Sequence, residues 1–509
     1  MLVSLLIIAV ILFVVYVKWR QTYWQRKGVT SIPSMFLLGS SPEIILKKVS
    51  IGKAFRMRYE EMTKIDRLHA GGYFFWDPVY VPLDPGLIKQ MLTKDFHYFM
   101  GHGQYYHPKD HLTMNLFNLE GEPWKAMRTK LSPTFTSGKM KLMFNTLLEK
   151  ALLLQKLIDG YSDKQEAFLI KDLSERYTTD VIGSVAFGID CNSIEDPVSD
   201  FRKYGEKSFQ ITFRKILLMG IFPWNLLGNL GFKVIDIDVT KFFDSIVKET
   251  VRYRESNNIY RKDFMQLLLA LKNQGSVDGK PNDEISQKNE KTTVLTDDEI
   301  VAQCFEFFLA GFETSSTTMT FALLELALNP DVQDKLREEI VSTIDKADGK
   351  ITYNDVMTMP YLDKVVNETL RKYPPLSFLS RTCSKTYKVP NTDVVIDKGT
   401  RVNIPIWGIH MDPNYYPNPE LFDPERFTEE NIATRPDFTF LPFGEGPRQC
   451  IGLRFGLMQT KTGLVTLLKN FEFSVDNKTS IPIQMAGENI VLHVKGDVWL
   501  KATKVVNNN

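Results

Sequence analysis

Apolar side chains recur along most of this chain at spacings of three and four residues. That spacing predicts amphipathic helices, which bury one face and expose the other. The longest such segment, residues 300–328, follows Thr296 and Glu299, which are spaced to form a capping box. Four further segments have the same helical spacing: residues 139–159, 173–187, 239–257 and 330–344.

Two shorter segments favour strands. Residues 73–83 are aromatic and valine-rich, and we expect a strand pair there with its turn at Asp77-Pro78. Residues 394–406 predict a second hairpin that turns at Asp397-Lys398-Gly399. Residues 272–291 are mostly polar and contain Gly and Pro, which predicts a solvated loop between helices. The pattern as a whole predicts one large, mainly α body with small β-sheets.

The amino terminus is apolar and uncharged over residues 1–17. As a helix it would span about 25 Å, close to the hydrocarbon core of a bilayer. Basic residues follow it, and no acidic residue occurs before Glu43, which predicts a cytosolic location for the carboxyl side. A cleaved signal peptide is the alternative, but a basic leading region and a small-residue cleavage site are lacking. The expected division is an anchor over residues 1–20, a linker over 21–40 and a catalytic domain over 41–509.

A second apolar stretch, residues 216–232, is too interrupted by Gly, Pro and Asn to cross a membrane. Two interpretations stay open for it. The stretch could lie on a membrane surface, or it could form a buried pair of helices. In the first case, the side chains entering the membrane would be Phe222, Trp224, Leu226, Leu227 and Phe232.

Charge and cysteine content argue against several classes of protein. The chain has 509 residues with 62 Lys and Arg against 61 Asp and Glu, so no overall basic field favours nucleic acid. Its four cysteines include no C-x-x-C pair, which argues against a zinc ribbon, a dithiol redox site and a disulfide scaffold. So few cysteines are typical of a reducing compartment.

The most informative segment surrounds Cys450. Glycines at positions 446 and 452 permit a tight loop and close backbone approach, and a helical pattern starts just after Cys450. A cysteine near a helix amino terminus is favoured as a thiolate, and Arg448 is suited to bind a carboxylate. A lone buried cysteine is more often simple packing. The full pattern, Phe443-x-x-Gly-x-x-x-Cys-x-Gly, resembles the haem-ligand signature of the cytochrome P450 family.

Two further motifs resemble elements of that family. Glu368 and Arg371 form an E-x-x-R pair, which in the family is completed by the arginine of a Pro-Glu-Arg-Phe segment, here Arg426. This resemblance implies a buried triad that holds the fold around the haem. Trp124 and Arg128 match a W-x-x-x-R motif whose side chains contact a haem propionate.

The long helix contains the sequence Ala-Gly-Phe-Glu-Thr-Ser over residues 310–315. Glycine and hydroxyl side chains can weaken a helix locally, and this alone would indicate only a distortion. The family uses such a segment as an oxygen-binding groove. The resemblance implies that Thr314 orients dioxygen and that Glu313 relays protons, with Ala310 and Gly311 next to the haem. Arg381 matches an arginine that binds a propionate.

The resemblance implies the cytochrome P450 fold and a membrane-anchored monooxygenase. Its cofactor would be haem b with Cys450 as the axial thiolate. The residues expected to bind haem are Cys450, Arg448, Phe443, Trp124, Arg128, Arg381, Ala310 and Gly311. The sequence looks most like insect microsomal detoxification members, which implies the endoplasmic reticulum membrane with the body in the cytosol.

Because the chain has no dinucleotide-binding fingerprint, its electrons would come from a separate protein. The resemblance implies NADPH–cytochrome reductase, with cytochrome b5 as a second donor. Basic residues between positions 124 and 141, together with Arg454, could form a patch for an acidic flavoprotein, with Lys130 and Lys141 as its test positions. The alternative for any single lysine is an ordinary solvated surface.

Small hydrophobic compounds are the expected substrates. The expected pocket residues are Phe117, Phe213, Phe305, Glu306, Leu376 and Phe378, although core packing explains several of them equally well. Glu306 departs from the apolar residue usual in relatives. It could select substrates that carry an amine or a hydroxyl, or it could turn to a partner on a neighbouring helix.

Two other functions stay open. One is a haem-thiolate isomerase or dehydratase that acts on hydroperoxides, and the other is a lipophile-binding protein without turnover. NADPH consumption and an oxidised product would distinguish a monooxygenase from both.

Overall fold

The computed structural model describes residues 2–46, 48–210, 212–275, 294–487 and 490–505. The chain divides into two compact units. The sheet unit comprises Met1–Gln104, Leu370–Cys450 and Gln484–Lys495, and the helical unit comprises Tyr105–Thr369, Ile451–Ile483 and Gly496–Asn509. The architecture is mainly helical with small sheets, as predicted. The domain boundaries expected from the sequence stay a prediction.

The sheet unit contains, within the described residues, two β-sheets and seven α-helices. Its helices are α1 (Leu2–Arg20), α2 (Tyr23–Arg26), α3 (Pro42–Ile45), α4 (Ile51–Met62), α5 (Pro85–Lys89), α18 (Ile406–His410) and α19 (Glu429–Ala433). Its strands are β1 (His69–Phe74), β2 (Asp77–Pro82), β4 (Leu379–Thr382), β5 (Tyr387–Lys388), β6 (Val395–Ile396) and β7 (Arg401–Ile404). Strands β1, β2, β7 and β4 form one sheet in that order, and β5 and β6 form a second.

The first hairpin turns two residues earlier than predicted. Asp77 and Pro78 belong to β2 and pair with Phe74 and Tyr73, so the turn consists of Phe75 and Trp76. Both turn side chains are buried, and Phe75 takes a positive φ of 56°. Burial of the two aromatic rings therefore overrides the turn preference of Asp-Pro.

The second predicted hairpin was wrong. A turn does follow Asp397, because the Thr400 N–H donates to its carbonyl. However, β6 pairs with the preceding strand β5, whereas β7 pairs with β2 and β4 in the other sheet. The actual hairpin reverses near Asn391, which adopts the left-handed conformation that asparagine tolerates.

The segment after α1 packs against the four-stranded sheet. Trp24 is fully buried, and its Nε1 donates to the Gly72 carbonyl over 2.8 Å. A Cβ at Gly71 would lie 2.3 Å from the Trp24 ring, so only glycine leaves room for this indole. The Lys27 ammonium lies 2.8 Å from the Asp397 carboxylate. Side-chain packing and an ion pair therefore hold this part of the expected linker.

The helical unit is built around one long central helix. Its helices are α6 (Gly121–Leu131), α7 (Ser137–Asp163), α8 (Ile170–Ile182), α9 (Asp200–Ser208), α10 (Phe213–Ile221), α11 (Trp224–Asn229), α12 (Ile237–Asn257), α13 (Phe264–Gln274), α14 (Asp297–Leu328), α15 (Pro330–Lys346), α16 (Tyr353–Thr358) and α20 (Leu453–Leu468). Helix α17 (Pro360–Lys372) contains the boundary between the units. Strands β3 (Phe168–Leu169), β9 (Trp499–Lys504) and β8 (Phe471–Val475) form its sheet in that order.

The helices predicted from apolar spacing are confirmed. The four segments correspond to α7, α8, α12 and α15, although α8 changes to a wider π-helical turn over Gly183–Phe187. The capping box is also present, since Thr296 Oγ1 accepts from the Glu299 N–H and the Glu299 carboxylate accepts from the Thr296 N–H. Most of the predicted polar loop, residues 276–293, lies outside the described residues.

Helix α14 packs against α8 and α20, and its side chains are buried almost throughout. Between Ile300 and Leu326, the residues that keep some exposure lie close together. We call this group the open face of α14. It consists of Glu306, Leu309, Ala310, Gly311 and Thr314.

Helix α1 is the one helix within the described residues that is long and apolar enough to cross a membrane. Most of its apolar side chains are exposed, but Val17 is buried. In the second half of this helix, the Phe13 ring contacts Trp76 edge-on, with centroids 5.5 Å apart.

Candidate active site

The Cys450 loop in the sheet unit is tightly folded. Gly446 has a φ of 76°, and a Cβ there would lie 2.0 Å from the Leu92 carbonyl oxygen, so the loop can approach this backbone only with glycine. The Cys450 N–H donates to the Phe443 carbonyl over 2.9 Å. Cys450 is exposed, whereas Cys304 and Cys383 are buried. The loop therefore presents the thiol that sequence reasoning selected.

Three basic side chains cluster beside this loop. Arg448 Nε donates to the Met100 carbonyl over 2.7 Å. Arg381 is fully buried, and its Nη1 donates to the Ser380 carbonyl and lies 3.4 Å from His102 Nδ1. Burial and the charges of the two arginines hold the pKa of His102 well below its usual value, so this imidazole is neutral.

Arg381 lacks an anionic partner among the described residues. Its Nε and Nη2 atoms are buried without a hydrogen-bond acceptor. Burial lowers the pKa of its guanidinium to about 10, yet the group stays charged at neutral pH. A buried cation with two unused N–H donors needs an anion, and a carboxylate matches its planar geometry.

The predicted structural arginines bind one stretch of backbone. Arg371 is fully buried and donates to the carbonyls of His410, Pro419 and Leu421. Arg426 donates to the Asn418 carbonyl over 2.9 Å. Glu368 is also fully buried, as expected for the third member of the motif. The triad's role in supporting the fold stays a prediction.

In the helical unit, the oxygen-groove motif contributes Ala310, Gly311 and Thr314 to the open face of α14. The Thr314 hydroxyl donates to the Ala310 carbonyl, four residues earlier. Side chains from two other helices donate to the next carbonyls: Thr178 binds the Phe312 oxygen over 3.0 Å, and Gln459 binds the Gly311 oxygen over 3.4 Å. The helix is continuous here, but side-chain donors bind three consecutive carbonyls of its backbone, those of Ala310, Gly311 and Phe312.

Glu313 is buried in an ion pair that sequence reasoning missed. Its carboxylate lies 2.7 Å from the Lys171 ammonium, which also lies 3.1 Å from Glu175. Glu175 in turn lies 3.2 Å from the Arg202 guanidinium. Although burial alone would lower it, the charges of Glu313 and Glu175 raise the pKa of Lys171. Lys171 therefore stays protonated and fixes the position of the Glu313 carboxylate.

Trp124 and Arg128 lie on α6, one turn apart and on the same side of the helix. Trp124 is buried and Arg128 is half-buried. This is the arrangement in which an indole N–H and a guanidinium can both reach one acceptor group.

The expected pocket residues have different surroundings. Phe117 is exposed and Glu306 lies on the open face of α14, whereas Phe305 is buried with its ring 5.0 Å from that of Phe243. In the sheet unit, Phe378 stacks on Phe55 with ring centroids 4.2 Å apart. Leu376 is half-buried and pairs with Val491. Phe213 begins α10, but its side chain lies outside the described part of the chain. Their assignment to one pocket stays a prediction.

Each unit, considered by itself, contains residues that fit a haem. The sheet unit supplies an exposed thiol on a glycine-rich loop, and Arg381 supplies two buried donors that suit a propionate. The helical unit supplies an open helix face in which the small side chain of Ala310 lies exposed. Thiolate ligation, propionate binding and a flat apolar contact are the three things that this cofactor requires of a protein.

Comparison with known proteins gives a consistent result. The sequence profile described as Cytochrome P450 matches residues 33–500. "Cytochrome P450 6k1" of Blattella germanica is 42% identical over 98% of this chain and 97% of its own length. "Cytochrome P450 6A1" of Musca domestica is 43% identical over 96% and 95%, and "Probable cytochrome P450 6a14" of Drosophila melanogaster is 42% identical over 95% and 96%. This chain therefore belongs to the cytochrome P450 family, the haem-thiolate monooxygenases, as its motifs predicted.

Proposed function

We propose that this monooxygenase is anchored in the endoplasmic reticulum membrane, receives electrons from NADPH–cytochrome reductase and oxidises small hydrophobic compounds. Such compounds would include plant toxins, insecticides and endogenous lipophiles. Cytochrome b5 is a second electron donor in this proposal. The observation that carries the assignment of the cofactor site is the exposed Cys450 thiol together with the buried Arg381 guanidinium of the same unit, whose Nε and Nη2 atoms lack an acceptor.

A bound haem would supply dioxygen activation. The site residues of this chain would bind the haem. Cys450 provides the thiolate, which is favoured by its place just before the amino terminus of α20. Arg381, Arg448, Trp124 and Arg128 would hold the propionates of a bound haem through their N–H groups. Phe443 covers the thiolate, and its carbonyl accepts from the Cys450 N–H.

Proton delivery is assigned to α14. The Thr314 hydroxyl donates to the Ala310 carbonyl, so its oxygen can accept a further hydrogen bond from a water, and that water would in turn donate to dioxygen. Glu313 moves the proton, since it is the acidic residue that precedes Thr314 in the motif. Lys171 holds this carboxylate in place and is therefore a positioning residue.

Two apolar surfaces support membrane attachment. Helix α1 has the length and composition of a membrane span. Around α10 and α11, Phe222 and Leu226 are exposed, whereas Leu227 is buried and Trp224 binds the Met219 carbonyl. Both earlier interpretations of residues 216–232 therefore contribute: part of the stretch packs inward, and Ile221, Phe222, Leu226 and Leu230 form an outer apolar surface that suits a lipid headgroup layer.

The cytosolic orientation has its own test. Protease added to sealed microsomes should digest the body of the protein and leave a fragment that contains α1. A body protected until detergent is added would place it in the lumen and contradict the proposal.

The cofactor site is tested by the spectrum of the reduced carbon monoxide complex. The wild-type protein should give the thiolate-ligated spectrum, and Cys450→Ser should lose it. Cys383→Ser serves as the matched control, because this buried cysteine lies in the same unit and should leave the spectrum unchanged. A thiolate spectrum that persists in Cys450→Ser would refute the assignment.

The reaction is tested by reconstitution with reductase, NADPH and a panel of hydrophobic compounds. Oxidised product that depends on NADPH supports the proposal. A rearranged product formed from a hydroperoxide without NADPH would instead indicate an isomerase or dehydratase.

A further inference from the structure

Glu306 is a carboxylate on the otherwise apolar approach to Thr314. The side chain lies on the open face of α14, one helical turn before Ala310 and two turns before Thr314. The flanking residues Phe305 and Phe307 are buried and contact Phe243 and Phe264, so they fix the rotation of the helix about its axis. Glu306 therefore points where Ala310 and Thr314 point.

The alternative expected from the sequence was a partner on a neighbouring helix. Within the described residues, the Glu306 carboxylate has no hydrogen-bond or ion-pair partner. Several cations on the helices that pack against α14 are bound to other carboxylates. Lys171 of α8 pairs with Glu313 and Glu175, Lys461 of α20 with Asp363, and Lys248 and Arg254 of α12 with Asp244, Asp298 and Asp263.

The Glu306 carboxylate destabilises the folded protein when it is ionised and unpaired. Burial alone raises the pKa of Glu306 to about 7, so it is partly ionised at neutral pH. An unpaired carboxylate in a desolvated position opposes folding, and an apolar residue would pack there without this cost. Groups of this kind are concentrated at functional sites, where a ligand provides the missing partner.

We propose that Glu306 is a substrate-recognition residue that binds lipophilic compounds carrying a protonated amine. This inference rests on the proposed function, because it assigns the open face of α14 to the substrate. The ammonium N–H donates to the carboxylate, and the apolar remainder of the compound extends toward Ala310 and Thr314. A charged donor matches an otherwise unpaired acceptor, and such a hydrogen bond is stronger than a neutral one.

The test measures equilibrium binding to the haem-loaded protein. The probes are N,N-dimethyl phenylpropylamine and its carbon isostere, in which a C–H group replaces the ammonium N–H. They have the same shape and differ in charge. Their dissociation constants are determined from the substrate-induced spectral shift and by calorimetry for the wild type, Glu306→Gln and Glu338→Gln. Glu338 is an exposed carboxylate on α15, so the last variant controls for the loss of one negative charge.

Glu306→Gln should weaken binding of the amine about tenfold or more relative to the isostere, and Glu338→Gln should leave the ratio unchanged. An unchanged ratio in Glu306→Gln, with the thiolate-ligated spectrum intact, overturns this inference and leaves the proposed function standing. Loss of the thiolate-ligated spectrum in the wild type would overturn the proposed function itself. An amine spectrum typical of direct iron ligation, unaffected by the substitution, would also contradict Glu306 as the binding group.

Discussion

The Lys171 ammonium and the Glu313 carboxylate form a buried ion pair, 2.7 Å apart, between α8 and α14. Glu313 belongs to the motif that distinguishes the central helix, and Lys171 is 142 residues away in the chain. The acid assigned to proton transfer is thus held by a cation that keeps its proton. If Glu313 transfers protons, as proposed, its carboxylate must do so while paired with Lys171 or after leaving this partner.

Loss of Lys171 should destabilise the protein. Lys171→Met leaves the Glu313 carboxylate buried without its cation, and we expect a loss of about 3 to 5 kcal/mol in the free energy of unfolding. Urea unfolding of the haem-loaded protein measures this loss. Lys156→Met, an exposed lysine on α7, is the control, and adding Glu313→Gln to Lys171→Met should restore part of the stability. A loss below about 1 kcal/mol would show that the pair is not formed in solution.

Glu306 should make stability depend on pH. Its folded-state pKa of about 7 lies above its ordinary value of 4.5, so the folded state binds the proton more tightly than the unfolded state. The carboxyl group costs nothing while it is protonated in both states. Its cost begins as pH rises above about 4.5 and is complete above about 7, reaching up to about 3 kcal/mol.

Glu306→Gln should consequently be more stable than the wild type at pH 8 and nearly equal to it at pH 5. Thermal unfolding across this range checks the difference. Glu338→Gln should show no comparable trend. A constant difference between pH 5 and pH 8 would mean that Glu306 does not titrate as its burial requires.

Arg381 should slow the loss of haem from the loaded protein, but it should lower the stability of the haem-free protein. Arg381→Met removes a buried charge with two unsatisfied donors, so the haem-free protein should be at least as stable as the wild type. The loaded protein should lose haem about tenfold faster or more, because charge-assisted hydrogen bonds to a propionate are missing. Haem transfer to apomyoglobin measures this rate, with Lys64→Met as a control in the same unit. An unaltered rate would separate Arg381 from the cofactor.

Exposure identifies the lysines to test for reductase docking. Lys130 is half-buried and engaged in other contacts, whereas Lys125 and Lys141 are exposed. Charge reversal at Lys125 and Lys141 should slow reduction by the reductase and weaken its dependence on salt, because steering by opposite charges is lost. Stopped-flow reduction at several ionic strengths measures both quantities.

The control for this surface lies on the same helix. Lys164 caps the far end of α7, more than about 30 Å from Lys141, and Lys164→Glu should leave the reduction kinetics unaltered. Equal slowing in both variants would indicate an effect of net charge and would argue against a docking patch.

The features that could be predicted from the sequence depend on residues that are close together in the chain. The start of α14 depends on Thr296 and Glu299, which are three residues apart, and this cap is formed as expected. The Cys450 loop was likewise recognisable because its glycines and cysteine are contiguous. Long-range partners could not be predicted in this way: β6 pairs with β5 instead of β7, and Lys171 reaches Glu313 across the fold. Side-chain packing overrode turn chemistry at Phe75 and Trp76, where two buried rings displaced the turn from Asp77-Pro78.

The packing of Trp24 against Gly71 restricts how the four-stranded sheet can move relative to α1. With the indole wedged against β1, and Lys27 bound to Asp397, the four-stranded sheet cannot rotate freely about the end of α1. If α1 lies in a bilayer, as proposed, a tilt of that helix would be transmitted to the sheet through these contacts. A side chain larger than glycine at position 71 would displace the Trp24 ring and weaken this connection.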